Sequence, residues 1–152
     1  MIQKYVAGFL FDDAKAHVAL IHKTHGPDAI VGKWNAIGGK LSTALDGQPE
    51  SSDAAMGREF NEEAGVSVTN WTLFLQLSGQ DWEVDFYHAF NTLKLNQVKT
   101  AMEEEIIIFP LTNLPEVVPD LRWILPMALG HRDDRVWVCK VIEKETFSAR
   151  KG

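Results

Sequence analysis

Residues 50–66, Glu-Ser-Ser-Asp-Ala-Ala-Met-Gly-Arg-Glu-Phe-Asn-Glu-Glu-Ala-Gly-Val, constrain this chain more than any other stretch. Ser51 or Ser52 is an N-cap candidate, Asp53 complements the positive end of a helix dipole, and Ala54 to Ala64 contains no proline. Gly65 suits the left-handed C′ position, from which Val66 can pack back on the last turn. On such a helix Met56, Phe60 and Ala64, at i, i+4 and i+8, form one buried stripe. Glu59, Glu62 and Glu63 then share the adjacent face beside Arg58, and three ionised carboxylates at that spacing repel one another unless a positive charge lies between them. A solvated acidic surface is the bland explanation. Oxygen donors alone, at that charge density, suit Mg²⁺ or Mn²⁺ rather than zinc.

The surroundings are those of an ordinary folded domain. With 152 residues, 45% hydrophobic and 24% charged, the chain can bury one substantial core, and a single domain spanning 1–152 is expected. No apolar run approaches the length of a membrane helix, and the N-terminus lacks the basic and apolar segments of a signal peptide, so no membrane partner and a cytoplasmic location are expected. Cys139 is the one cysteine, which excludes an internal disulfide or a cysteine metal knuckle. A net charge of −6 without a Lys/Arg block argues against polymeric nucleic acid as partner. It leaves room for a small phosphorylated ligand, because a divalent ion can reverse the local field.

Ile2–Phe11 and His17–Ile21 read as a hairpin turning at Asp12-Asp13. Residues 24–33 carry loop chemistry. Trp34 to Ile37 reads as a short extended piece running into Gly38-Gly39, where the absent Cβ atoms allow close approaches. Strand-like runs follow at 66–78, 82–91 and 105–109, with a polar stretch at 95–100 between the last two. Leu111–Pro119 reads as a turn-rich connection, Leu121–Leu129 as a second helix kinked or shortened by Pro126, Arg135–Ile142 as a final strand and Phe147–Gly152 as a loose tail. The five histidines, His17, His22, His25, His88 and His131, show no metal-ligand spacing and read as structural. Trp71, Trp82 and Trp137 lie in strand-like runs and are given no site.

Glu50, seven residues, then Arg58-Glu59-Phe60-Asn61-Glu62-Glu63-Ala64-Gly65-Val66 resembles the box of the Nudix hydrolases, G-x5-E-x7-R-E-U-x-E-E-x-G-U, with U a bulky apolar residue. Every defined position from Glu50 to Val66 is matched. Upstream the chain departs from the pattern: ten residues rather than five separate Gly39 from Glu50, a five-residue insertion that costs little loop entropy and leaves the helix untouched. The resemblance implies an α+β Nudix fold, an α/β/α sandwich with a mixed sheet between helices and a loop–helix–loop box at about 38–66. It also implies Mg²⁺-dependent cleavage, with Mn²⁺ possible, of a nucleoside diphosphate linked to a further group.

By the same resemblance, Glu59, Glu62 and Glu63 with the carbonyl of Gly38 are metal ligands, and Glu50 and Arg58 orient the site. Glu62 or Glu63 is the base, or else Glu104, which resembles a downstream glutamate of MutT-like members that assists metal or water; Glu103 and Glu105 are its neighbours. Gly32 to Lys40 resembles the segment preceding the box in MutT-type nucleoside triphosphate pyrophosphohydrolases, including those acting on oxidised purine nucleotides. Asn35 there matches a base-reading residue, Lys40 is a further substrate contact, and Asp120 and Trp123 are downstream candidates. Asp120 is equally a helix N-cap candidate. The expected substrate is a nucleoside triphosphate such as 8-oxo-dGTP, released as monophosphate and pyrophosphate. ADP-ribose, dinucleoside polyphosphates and nucleotide sugars are alternatives within the same chemistry, and a non-catalytic nucleotide sensor is the alternative outside it. Monomer and homodimer are both compatible with the sequence.

Overall fold

A computed structural model describes residues 2–43, 47–131 and 138–144. Eight strands and three helices occur among them: β1 Gln3–Phe11, β2 His17–His22, β3 Trp34–Asn35, β4 Ile37–Lys40, α1 Ser52–Ala64, β5 Thr72–Ser78, β6 Trp82–Phe90, α2 Thr92–Leu95, β7 Ile106–Pro110, α3 Leu121–Gly130 and β8 Cys139–Ile142. The strands form one mixed sheet. Its centre is the parallel pair β1/β6, in register from Gln3↔Trp82 to Phe11↔Phe90. β5 continues it antiparallel to β6, and β8 adds a parallel edge on β5.

The other edge of β1 changes partner along its length. β4 pairs with it from Tyr5↔Lys40 to Gly8↔Ile37, whereas β2 meets it only at Phe11↔Val18. β2 then diverges to take β3 and β7 as its own neighbours. The wedge where β1 and β2 part is the space in which the candidate site forms.

Period-two alternation assigns the two faces. Val6 and Leu10 of β1, with Ala19 and Ile21 of β2, join the core under α1, where Ala55, Met56, Phe60 and Ala64 complete it. Phe9 and Phe11, with Val18 and Leu20, point the other way into the core under Leu121, Ile124, Leu125 and Ala128 of α3. Helices therefore cover both faces, as the resemblance implies.

Several boundaries differ from expectation. Residues 66–71 are not a strand; Val66 and Val68 are buried, yet they belong to the loop that leaves α1 through Gly65, whose φ is 71°. A short helix, α2, leads into the polar stretch from Thr92, capped by Asn91, whose side chain accepts from the Lys94 amide at 3.0 Å. α3 runs through Pro126 to Gly130 rather than stopping there, its apolar face held against the sheet. The expected final strand is seen as Cys139–Ile142, while residues 132–137, Trp137 included, and the tail from 145 lie outside the described residues.

Candidate active site

Arg58 organises the carboxylate side. Its Nε donates to Glu50 Oε2 at 2.8 Å and its Nη2 to Glu50 Oε1 at 2.9 Å, a two-pronged pair that joins α1 to the loop before it. Nη2 also donates to the Lys40 carbonyl at 3.0 Å, tying in β4. Nη1 reaches Glu59 at 3.0 Å and Glu62 at 3.1 Å. The far end of the lengthened loop is closed by reciprocal bonds, Glu50 N–H to the Ser42 carbonyl at 2.8 Å and Ser42 N–H to Glu50 Oε1 at 3.1 Å. The insertion is thus contained between Ser42 and Glu50, and Glu50 reaches Arg58 regardless of it. Arg58 holds the Glu50 carboxyl below the ordinary range, and Glu50 holds the guanidinium protonated.

The glycine pair works by proximity, not by unusual dihedrals. A Cβ on Gly38 would overlap the Val6 carbonyl oxygen of β1, and a Cβ on Gly39 would lie 2.5 Å from the Glu59 carboxylate. Only a bare backbone lets α1 lay Glu59 against β4.

Glu63 and Glu104 approach from different elements. Burial raises the Glu63 carboxyl above the ordinary range, and the charge of Glu104 raises it further, against the pull of Lys23. Burial likewise raises Glu59, with Arg58 opposing and Glu62 and Glu50 adding to it. Burial acts on Glu104 too, but Glu104 accepts from the Thr24 amide at 2.6 Å, from Lys23 Nζ at 2.9 Å and from the Thr24 hydroxyl at 3.2 Å, and ends below the ordinary value. Of its neighbours, Glu103 and Glu105 have exposed side chains, and Glu105 contributes only its carbonyl, to the His22 amide at 2.8 Å.

No three His, Cys, Asp or Glu side chains converge into a ready ion cage among the described residues. The donor set nevertheless fits a hard cation. All its members are oxygens, Glu59 and Glu63 are crowded and partly desolvated, and an ion that retains most of its waters needs only one or two of them directly.

Across β4 lies a cavity of about 510 Å³, within the range of small-molecule sites. Ala7, Val84 and Phe86 supply an apolar floor, Lys23, Pro27 and Ile30 a wall, and Asn35, Gly38, Gly39 and Lys40 the side toward the carboxylates. Asn35 spends its Oδ1 on the Ala36 amide at 2.8 Å, so its own turn takes the acceptor, and its amino group makes no bond among the described residues. Asp120 and Trp123 do not line this cavity. Asp120 precedes α3 without a side-chain capping bond, and Trp123 is 38% exposed on that helix. Two cavity residues carry no signal in the sequence pattern. Lys23 follows β2 and belongs to no motif, and Trp82, at the start of β6, is given no site by the sequence.

No family model matches the chain, and no curated protein matches it either. Solved structures do. A MutT Nudix hydrolase from Burkholderia pseudomallei is 21% identical and superposes with a TM-score of 0.67, over 84% of this chain and 98% of that one. An ADP-ribose pyrophosphatase from Streptococcus suis, 15% identical, gives 0.66 over 94% and 100%. A MutT protein from Bacillus halodurans, 23% identical, gives 0.62 over 86% and 84%. The chain has the fold of the MutT/Nudix hydrolases, and its residues Glu50 to Val66 resemble that family's box.

Proposed function

We propose that this chain acts as one domain to hydrolyse a nucleoside diphosphate linked to a further group, with Mg²⁺ or alternatively Mn²⁺. We infer that the substrate is a nucleoside triphosphate, oxidised purine nucleotides such as 8-oxo-dGTP included, and the products a monophosphate and pyrophosphate. One observation carries this reading: the carboxylates of α1 and a cavity of nucleoside size lie on opposite sides of β4, with Lys23 belonging to the cavity wall while bonded to Glu104.

Glu59, Glu62 and Glu63, with the Gly38 carbonyl, would hold the ion. When bound, it would offset the substrate's phosphate charge and lend Lewis acidity to the reaction. Arg58 and Glu50 keep the helix, the loop and β4 in fixed relation. Glu63 is favoured over Glu104 for taking a proton from the attacking water, because both Glu104 oxygens are committed to Lys23 and Thr24, whereas those of Glu63 make no hydrogen bond among the described residues. Asn35 Nδ2–H would donate to a base acceptor such as a purine O6 or N7.

ADP-ribose is the second reading, supported by the Streptococcus suis ADP-ribose pyrophosphatase, which superposes about as well as the Burkholderia pseudomallei protein. A phosphate-release screen with and without Mg²⁺ tests both, using normal and oxidised nucleoside triphosphates, ADP-ribose, dinucleoside polyphosphates and nucleotide sugars. Glu62→Gln and Glu63→Gln should each lower turnover by about a hundred-fold or more, and near-native turnover by both would remove these carboxylates from the chemistry.

A further inference from the structure

The β5–β6 turn holds a tryptophan in an unusual way. Gly79 N–H donates to the Trp82 carbonyl at 2.9 Å, closing the turn, and Gln3 N–H donates to the Asp81 carbonyl at 3.0 Å, pinning it to β1. The Trp82 indole lies directly over Gly79. A Cβ there would overlap the indole Nε1 and Cε2 and sit 2.7 Å from Cζ2. Trp82 lines the large cavity with Val84 and Phe86, and it also lines a small pocket with Glu143 and Lys144. It therefore borders both the cavity and the end of β8. Its position is set by the turn backbone and by the missing side chain at Gly79.

We infer that Trp82 is a specificity-determining residue that stacks on the planar base of the nucleotide, and that Gly79 is the positioning residue that keeps the indole where it can do so. The inference rests on the proposed nucleotide substrate and names the part of it the cavity takes. Three observations favour a ring as the occupant. The floor of Ala7, Val84 and Phe86 is apolar, the indole adds an aromatic face, and Asn35 leaves an amide N–H donor for a ring acceptor. Lys23, bonded to Glu104 at 2.9 Å, sets a positive charge in the cavity wall that would meet the phosphates.

The test compares wild type with Trp82→Ala, Trp82→Phe, Gly79→Ala and the Gly79→Ala/Trp82→Ala double variant, after circular dichroism has shown each to be folded. Two readouts are used: binding of purine nucleoside monophosphates without metal, by equilibrium dialysis, and steady-state kinetics with nucleoside triphosphates and with inorganic tripolyphosphate. Trp82→Ala should weaken monophosphate binding and raise KM about ten-fold or more, in the range of a lost base–aromatic stack, with kcat within about two-fold. Trp82→Phe should retain most of the affinity, and tripolyphosphate kinetics should be unchanged. Gly79→Ala should reproduce the loss, and the double variant should be no worse than Trp82→Ala alone, because both remove the same contact.

Native affinity in Trp82→Ala would overturn the assignment of the stack. Losses that add in the double variant would overturn the role of Gly79. The dialysis arm keeps this distinct from the reaction itself: binding that depends on Trp82, in a protein that hydrolyses nothing, upholds the stack and refutes the proposed hydrolysis.

Discussion

Replacing Arg58 with alanine removes the group on which the loop, β4 and α1 converge, and its cost can be worked from the bonds it makes. The variant loses the two-pronged pair with Glu50, the bond to the Lys40 carbonyl and the contacts to Glu59 and Glu62. It strands the Glu50 carboxylate, whose side chain is 17% exposed against 30% for Arg58. Hydrogen bonds to charged groups contribute about 1.5–3 kcal/mol each, but part of that is screened at a guanidinium this open, while Glu59 loses the positive charge that opposes its burial. A net loss of about 2–4 kcal/mol follows, or a fall in Tm of roughly 5–15 °C for a chain of this size. Urea unfolding, followed by tryptophan fluorescence and circular dichroism, measures it. Glu50→Ala and the double variant complete the cycle, with an expected coupling of about 1.5–3 kcal/mol between the two residues. Arg58→Lys should recover less than half of the loss, since an ammonium cannot bridge both Glu50 oxygens and the Lys40 carbonyl together. If Arg58→Ala stays within about 0.5 kcal/mol of wild type, the pair is a surface ornament and the account of this site as braced by Arg58 is wrong.

Two further variants probe single carboxylates. Gly39→Ala should push the Glu59 carboxylate off β4 and lower turnover by about ten-fold or more while leaving most of the stability intact, because the clash is with a movable side-chain end; unchanged kinetics would show that Glu59 has no need of that seat. Asp12 accepts from the Ala16 and His17 amides at 2.7 and 3.0 Å and from the His17 ring at 2.7 Å, and although burial acts to raise its carboxyl, these bonds hold it below the ordinary value. A lowered folded pKa means stability present above the unfolded pKa of about 3.9 and lost as pH falls through the folded one. Asp12→Asn should therefore be less stable at neutral pH and show a flatter acid limb in a pH series of urea midpoints; an acid limb identical to wild type would exclude Asp12 as a contributor.

How much was legible in the sequence depends on whether the deciding interaction is local. α1 could be read almost residue by residue, since the stripe Met56–Phe60–Ala64 and Gly65 act within a few positions of one another, although Ser51 takes the N-cap position without a side-chain capping bond. The hairpin of β1 and β2 was legible for the same reason, but not the change of partner along β1, which is set by strands distant in sequence. Val66 and Val68 read as strand because alternation alone cannot tell a buried loop from an edge. The Arg58–Glu50 pair was expected from the motif, while the added bond to the Lys40 carbonyl required β4 to be in place. Lys23 and Trp82 could not have been picked out, because each acquires its setting from an element elsewhere in the chain: Glu104 for one, Gly79 and the floor of the cavity for the other.

β4 stands between the two halves of the site as a partition one peptide thick, and at Gly38 and Gly39 it offers no side chain to either half. A partition without side chains cannot be retuned by substitution, since adding even a methyl group obstructs one side or the other. In the proposed function it would act as a fixed gauge block: the spacing between the ring of a bound ligand and the bond to be cut would be set by main-chain dimensions. Preference for one ring over another would then be open to drift through the β5–β6 turn or the 24–33 loop while the carboxylate side stayed as it is. A site so divided would change what it recognises without relearning how to cut.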